Sequence, residues 1–249
     1  MSDSQLVGLA KDFFQNSLDS SPTSAIMRGH KKYFDQIEEL TEEQFQKEKD
    51  IVDTFIQRLN AIEKDNLTSR EKVTHGMLEF ALSSNKDSLL DRSWEFGAGV
   101  AGFTGFLIDY NQQMFVPDSE SADMMLKRLE LYKRLYTQIA DVQKLGLNNN
   151  RVATERNLLR TIDQLENYLT SSLDQDPLLL VNFSPEISDS EISEWKDKAK
   201  NIIEANIRPT VSAYLDQLKT EHLPKGRGDD KCGIMWIDGG EESYLRSLR

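Results

Sequence analysis

The 249-residue sequence has little of what disulfide bonding, metal binding or membrane insertion requires. Cys232 is its only cysteine, so no disulfide can form within the chain. The three histidines, His30, His75 and His222, form no His-Glu-x-x-His pair, and none has a second histidine within one helical turn. All apolar runs are far shorter than the ~20 residues of a membrane-spanning helix. These absences exclude a disulfide scaffold and a spanning segment, and they predict that the chain itself holds no metal or other cofactor.

Basic side chains are also in the minority, because 42 Asp and Glu residues outnumber 30 Lys and Arg residues and leave a net charge of −12. A field of that sign repels phosphate backbones and anionic lipid surfaces. We therefore expect neither nucleic acid nor a membrane among the partners. The N-terminus lacks the basic region and apolar stretch of a secretion signal, so we expect a cytoplasmic protein.

What the sequence does contain is a series of helix signals. Three segments have the pattern of a capping box, and each precedes apolar residues at helical spacing: Thr41-Glu-Glu-Gln44, Thr68-Ser-Arg-Glu71 and Ser188-Asp-Ser-Glu191. After the second box the apolar residues are Val73, Met77, Leu78 and Leu82. No alternating run is long enough to predict a strand. The sequence therefore predicts an all-α fold, a bundle of long antiparallel helices that forms a single domain over residues 1–249.

Proline and glycine mark the expected breaks between helices. Pro209 lies inside the last long helical pattern and removes a backbone donor there, so we expect a kink at Pro209 or a break near Asn206. Four further breaks are expected, at 97–105, Pro117-Asp118, 147–150 and Asp176-Pro177. Residues 224–240 include five glycines and are expected to form a loop.

Three short motifs match the sequence patterns of known sites but lack the structural context that those sites need. Gly97-Ala-Gly99-Val-Ala-Gly102 has dinucleotide-loop spacing, but no convincing buried strand precedes it, so we favour a packing or connecting role. Cys232 has Lys231 beside it, a neighbour that makes a thiol more reactive, but an activating histidine would have to come from a distant part of the chain. Arg227-Gly-Asp229 spells an integrin ligand, for which a cytoplasmic protein has no use. We assign no catalytic residue.

Fragments of the first part of the chain follow, in order, the sequence pattern of one bacterial family. Residues 20–25 with Gly29 resemble its "SP…AT…G" opening, and residues 122–129 resemble its "Y…RL" segment. The turn "G…PR.V" is matched by Gly146, Arg151 and Val152, with Asn150 where proline is usual.

The last part of the chain carries the more specific fragments. The pattern "V.P.Y..L..FL…..P..R" is matched by Ile207, Pro209, Tyr214, Leu215, Leu218, Leu223, Pro224 and Arg227. The pattern "G….LP.G..YY" is matched by Gly233, Ile237, Gly240 and Tyr244, with Asp238 in place of proline. Because the fragments agree in order and spacing, the sequence resembles the N-terminal half of the bacterial family known as domain of unknown function 885.

The resemblance implies a larger protein. Members of this family are usually more than twice as long and resemble helical zinc peptidases, with a His-Glu-x-x-Pro-Gly-His type motif in the C-terminal half; residues 1–249 contain no such motif. The chain would then be the N-terminal lobe of a metallopeptidase-like hydrolase, forming one wall of a cleft for a peptide substrate. It would be inactive alone and would pack against a C-terminal half that holds the zinc. The alternative is a non-enzymatic helical interaction module.

Three residues are candidates for substrate binding under this hypothesis: Arg227, Trp236 and Tyr244. They lie in or beside the Gly-rich segment that adjoins the expected second half, and an arginine there can pair with a peptide carboxylate. The alternative is a structural loop with a buried Trp and Tyr. The apolar run Ile234-Met-Trp-Ile237 separates the two: it is exposed if a second lobe is missing, and it packs onto the helix around Tyr214 if the chain is self-contained.

Overall fold

The computed structural model describes residues 5–98, Gly105 and residues 110–248. These residues are predominantly helical, which confirms the predicted all-α class. Two compact units make up the chain: unit 1 falls within Met1–Ser20, Thr41–Ser93 and Gly239–Arg249, and unit 2 within Ser21–Leu40 and Trp94–Asp238. The single domain over residues 1–249 stays a prediction.

The α-helices of the described residues follow one another with short 3-10 turns between several of them. They are α1 (Gln5–Asp19), α2 (Pro22–Met27), α3 (Glu42–Asn60), α4 (Ser69–Asp91), α5 (Ser119–Asn148), α6 (Glu155–Thr170), α7 (Asp189–Ile202), α8 (Arg208–Gln217) and α9 (Gly240–Ser247). Two parallel strands of two residues each, β1 (Phe115–Val116) and β2 (Asn182–Phe183), form the sheet of this part of the chain. Strand is therefore almost absent from it, as the sequence predicted.

Unit 1 packs α1, α3 and α4 around one apolar core, and α9 lies against α4. The core consists of Leu6, Leu9, Val52, Phe55, Leu59, Leu78 and Leu82. Phe13 adds an edge-to-face contact with Phe55, with ring centroids 5.8 Å apart. Each fully buried Leu or Phe stabilises a fold by about 1.5–3 kcal/mol, so this cluster holds the three helices together.

Helix α4 differs from the prediction of a single apolar stripe. Leu78 and Leu82 are buried in the core of unit 1, whereas Val73 and Met77 are 63% and 68% exposed. Phe80 is 70% exposed as well. Residues 73, 77 and 80 are spaced i, i+4 and i+7 and share one face of the helix, while Leu78 and Leu82 share another. The prediction was wrong for Val73 and Met77 because α4 carries apolar residues on two faces.

Unit 2 is built around α5, a helix of 30 residues. Its buried face is apolar and aromatic and includes Met125, Leu129, Tyr132, Leu135, Tyr136 and Ile139. Helices α7 and α8 pack on α5, and α6 packs on α8. Burial raises the pKa of the Tyr132 hydroxyl to about 12 and that of Tyr136 well above its usual range, so both phenols stay neutral in this core.

Two family-like fragments meet inside unit 2. Arg128 of α5 is fully buried and donates to the Thr23 hydroxyl over 2.6 Å and to the carbonyl of Gln36. The Thr23 hydroxyl in turn donates to Glu38 over 2.6 Å. These charge-assisted hydrogen bonds compensate the desolvation cost of burying the Arg128 guanidinium. The opening fragment and the "RL" fragment therefore have a structural role in unit 2.

The capping boxes are confirmed at two of the three predicted places. Thr68 and Ser188 each accept from the backbone at the N3 position while the N3 glutamate bonds back to the cap. At Thr41 the hydroxyl accepts from the amide of Gln44, but the Gln44 side chain donates to Glu48 instead of the cap. That box is half formed.

At the predicted break before Pro209 the chain stays helical and changes only its hydrogen-bond pattern, so the predicted break near Asn206 was wrong. Helix α7 ends at Ile202, a π-helical turn spans Ile203–Ile207, and α8 begins at Arg208 with Pro209 in its first turn. Proline is tolerated there because the amide it lacks would have no regular helical partner.

Three of the remaining predicted breaks lie at the predicted positions. Helix α5 starts directly after Asp118, whose carboxylate caps it, and ends at Asn148. A 3-10 turn starts at Pro177. The break at 97–105 falls largely outside the described residues, as do positions 99–102 of the dinucleotide-like motif.

Candidate functional site

Residues 226–238 of unit 2, termed the C-terminal loop, are held against the start of α6. The amide of Arg227 donates to the carbonyl of Ala153 over 3.1 Å, and the carbonyl of Arg227 accepts from the amide of Glu155 over 2.8 Å. A Cβ on Gly226 would lie 3.0 Å from the Glu155 Cα, a tight contact, so glycine favours the close approach of the two backbones.

The Arg227 side chain ties the loop to its support. Its Nε donates to the carbonyl of Val152 over 2.8 Å, and its Nη1 donates to the carbonyls of Lys231 and Gly233 over 2.7 and 2.6 Å. Burial lowers the pKa of the Arg227 guanidinium, which nevertheless stays charged near neutral pH. Two of its three nitrogens serve backbone carbonyls, a geometry that favours the structural alternative over pairing with a substrate carboxylate.

A second arginine, Arg151, fixes the far end of the C-terminal loop. Its Nη1 donates to the carbonyl of Asp238, and its Nε lies 2.6 Å from the Glu95 carboxylate in a buried ion pair. The guanidinium also lies 5.2 Å from the centroid of the Phe96 ring. A Cβ on Gly146 would collide with the Glu95 carbonyl, so this glycine makes room for the pair. The family-like turn around Gly146 and Arg151 thus holds the far end of the C-terminal loop in place.

With its backbone held in this way, the C-terminal loop presents apolar side chains to solvent. Ile237 is buried, but Met235 and Trp236 are 67% and 48% exposed. The Nζ of Lys231 lies 5.6 Å from the centroid of the Trp236 ring. The run Ile234–Ile237 is therefore buried at Ile237 and exposed at Met235 and Trp236. Exposure of this run is what the hypothesis of a missing second lobe predicts. An aromatic ring with an ammonium group beside it suits apolar groups and carboxylates.

Tyr244 is placed apart from the other two candidates. It belongs to unit 1, on α9, and is 54% exposed, with exposed Leu245 on the same helix and exposed Leu248 directly after it. The structure thus brings Arg227 and Trp236 into one loop and assigns Tyr244 to the other unit.

A groove between α4 and α9 of unit 1 was not predicted from the sequence. It has a volume of about 630 Å³, and its lining includes Phe80, Ser83, Ser84, Asp87, Asp91 and Arg246. Arg246 donates to Asp91 over 2.7 Å and joins the two helices. The sequence of α4 contains a signal for this surface, namely apolar residues on two faces of one helix. A helix of that kind is normally covered by other elements on both faces.

Among the described residues, no group of three or more His, Cys, Asp or Glu side chains is arranged to hold a metal ion. His222 is buried, and burial lowers the pKa of its imidazole. None of the described helices is both long and apolar enough to cross a membrane.

Comparison with known proteins identifies the family. Residues 22–249 match the family described as "Bacterial protein of unknown function (DUF885)". The chain belongs to this family. No curated protein matches this member of the family.

Among solved structures, one example is similar to this chain over nearly its whole length. It is that of a "putative lipoprotein" from Colwellia psychrerythraea, with a TM-score of 0.81 and 14% sequence identity. The similarity covers 99% of this chain and 46% of the Colwellia chain, so this family member spans about half the length of that relative. At this identity the similarity shows the fold alone.

Proposed function

We propose that this family member is the N-terminal helical lobe of a larger peptidase-like protein and works by packing against a second lobe. The observation that carries the proposal is the open apolar face of α4, where Val73, Met77 and Phe80 are each more than 60% exposed. Covering apolar surface is favourable by about 25 cal/mol per Å². The length of the Colwellia relative, of which the chain matches 46%, agrees with a missing partner lobe.

The peptidase-like part of the proposal comes from the family resemblance. The zinc and the hydrolytic step belong to the second lobe in this proposal, because the described residues have no group fit to hold a metal ion. This chain would supply one wall of the cleft, in which Trp236 contacts apolar side chains of a peptide and Lys231 its carboxylates. Arg227 positions this wall by holding the carbonyls of Lys231 and Gly233. Tyr244 remains a candidate contact, and a cytoplasmic location remains a prediction.

The first test is to read the gene beyond codon 249 and to express the extended protein. We expect an open frame with a His-Glu motif and chelator-sensitive peptide hydrolysis by the extended protein, with none by the 249-residue chain. In the extended protein Trp236→Ala should raise KM with little change in kcat. Phe115→Ala, at a position of unit 2 that is 55% exposed, should change neither value. Hydrolysis by the 249-residue chain alone, or a stop codon after residue 249, would contradict the proposal.

The second candidate function is a non-enzymatic helical interaction module. The exposed pair Met235 and Trp236 favours it, since methionine and aromatic residues are common at surfaces that bind proteins. A stop codon after residue 249, together with an inactive and stably folded chain, would favour this module over the lobe.

A further inference from the structure

An uncovered apolar surface of unit 1 runs over two helices in contact with each other. Val73, Met77 and Phe80 contribute to it from α4, Leu245 contributes from α9, and Leu248 contributes from the position directly after α9. These five side chains, with the groove between the two helices, are termed the α4–α9 face. Spacing of i, i+4 and i+7 on α4 is the pattern by which one helix face meets another helix.

The groove between α4 and α9 offers a surface against which a further helix can pack. A helix with side chains is about 10–12 Å across, and helices pack by laying the ridges of one into the grooves of another. The groove holds about 630 Å³, with Phe80 among its apolar lining and small serines such as Ser83 and Ser84 along α4. Small residues permit close approach of a third helix.

The charged side chains of the α4–α9 face indicate which charge a bound segment should carry. Asp91 is paired with Arg246 at 2.6 Å, and Glu79 is paired with Lys64 at 3.1 Å. Asp87, which also lines the groove, has no ion-pair partner among residues 5–98, 105 and 110–248. The groove therefore has an apolar part and one open carboxylate. It suits an amphipathic helix that carries a lysine or arginine opposite Asp87.

The same charges argue against other occupants. Two copies of the chain each carry a net charge of −12 and would bring one Asp87 toward the other. Anionic membranes and nucleic acids are repelled for the same reason.

We infer that the α4–α9 face binds an amphipathic helix of the second lobe, with a basic side chain against Asp87. This inference rests on the proposed function. Leu245 and Leu248 lie at the end of the described residues, so a helix that follows residue 249 in the longer protein would be joined to this face by a short connection. The Colwellia relative has 54% of its own chain outside the matched part, which is room for a second lobe in that protein.

Maleimide labelling tests the inference, because the lone native cysteine is removable. In a Cys232→Ser background, Met77→Cys reports on the α4–α9 face and Lys47→Cys reports on an exposed position of α3. In the 249-residue chain we expect both thiols to react at similar rates. In the extended protein the Met77→Cys rate should fall at least tenfold, whereas the Lys47→Cys rate should not change. Adding Asp87→Lys should restore part of the lost reactivity. Val73→Cys is the substitute should Met77→Cys fail to fold.

The outcomes separate this inference from the proposed function. A stop codon after residue 249 overturns both, because no second lobe then exists. An extended, hydrolytically active protein in which Met77→Cys reacts as fast as in the 249-residue chain overturns the inference and leaves the proposed function standing. Protection of Met77→Cys in the 249-residue chain that grows with protein concentration identifies a second copy as the occupant and overturns the inference.

Discussion

The side-chain amide of Asn150 donates to the carboxylate of Asp238 over 2.9 Å. These are the two positions at which the sequence departs from prolines that are usual in its family. Asn150 has a φ of 51°, which the proline ring cannot adopt but which asparagine tolerates. The two replacements of proline are therefore related, because Asn150 and Asp238 form a hydrogen bond that joins the turn to the C-terminal loop.

Restoring the family proline at one of these positions should destabilise this chain. We expect Asn150→Pro to lower the free energy of unfolding by more than about 1 kcal/mol, because φ at this position is positive. A double-mutant cycle of Asn150→Ala and Asp238→Ala should give a coupling of about 0.5–1 kcal/mol in urea unfolding, as for an exposed hydrogen bond. An Asn150→Pro chain as stable as the parent would show that the turn is not held as described.

Two glycines should respond to alanine in opposite directions. At Gly146 an added Cβ would collide with the Glu95 carbonyl and lie 2.8 Å from the Arg151 carbonyl, so Gly146→Ala should cost about 1–3 kcal/mol or more. At Gly8, inside α1, nothing lies within 4 Å of the added Cβ, and alanine should stabilise by about 0.5–1 kcal/mol. Thermal unfolding of the two variants gives the sign directly, and equal shifts in Tm would contradict the close approach at Gly146.

Local signals accounted for much of the fold. The caps at Thr68 and Ser188 depend on residues within a few positions of one another, so they can be read from the sequence. Arg227 could not be assigned in this way, because Val152, whose carbonyl it holds, lies 75 positions away. The open face of Met77 depends likewise on which helices surround α4, and periodicity alone does not distinguish a covered face from an uncovered one.

The pH dependence of stability should include a contribution from Asp118 at the start of α5. Hydrogen bonds from Lys31 and Ser121 lower the pKa of the Asp118 carboxyl from 3.8 to about 2. Because the folded state holds this proton less tightly than the unfolded state, the contribution is complete above pH 4 and is lost as the pH falls toward 2. Titration of the Asp118 carboxyl by NMR should show the lowered midpoint, and Lys31→Met should move it upward. A midpoint near 3.8 in the parent chain would contradict the interaction.

His222 should make the chain less stable in mild acid. Burial lowers the pKa of this imidazole below 6.5, so the unfolded state binds the proton more readily than the folded state. Its contribution is present above about pH 6.5 and is lost as the pH falls toward 5. Urea unfolding at pH 7 and pH 5 should therefore show a fall in stability that His222→Gln reduces. His30→Gln, which removes an imidazole that is only half-buried, is the matched control variant.

The last prediction concerns the role of Arg227 in the C-terminal loop. Its guanidinium reaches three carbonyls at once, those of Val152, Lys231 and Gly233, and a lysine ammonium lacks the planar fork that does so. We expect Arg227→Lys to speed amide hydrogen exchange across residues 228–238 by at least tenfold, with little change in α5. Arg156→Lys is the matched control, because Arg156 contacts the same loop through an exposed pair with Asp229 at 2.7 Å, and such pairs contribute little. Equal exchange in the two variants would show that Arg227 does not hold the loop. If Arg227→Lys instead left exchange unchanged but weakened peptide binding by the extended protein, its guanidinium would be a substrate contact, as the sequence alone suggested.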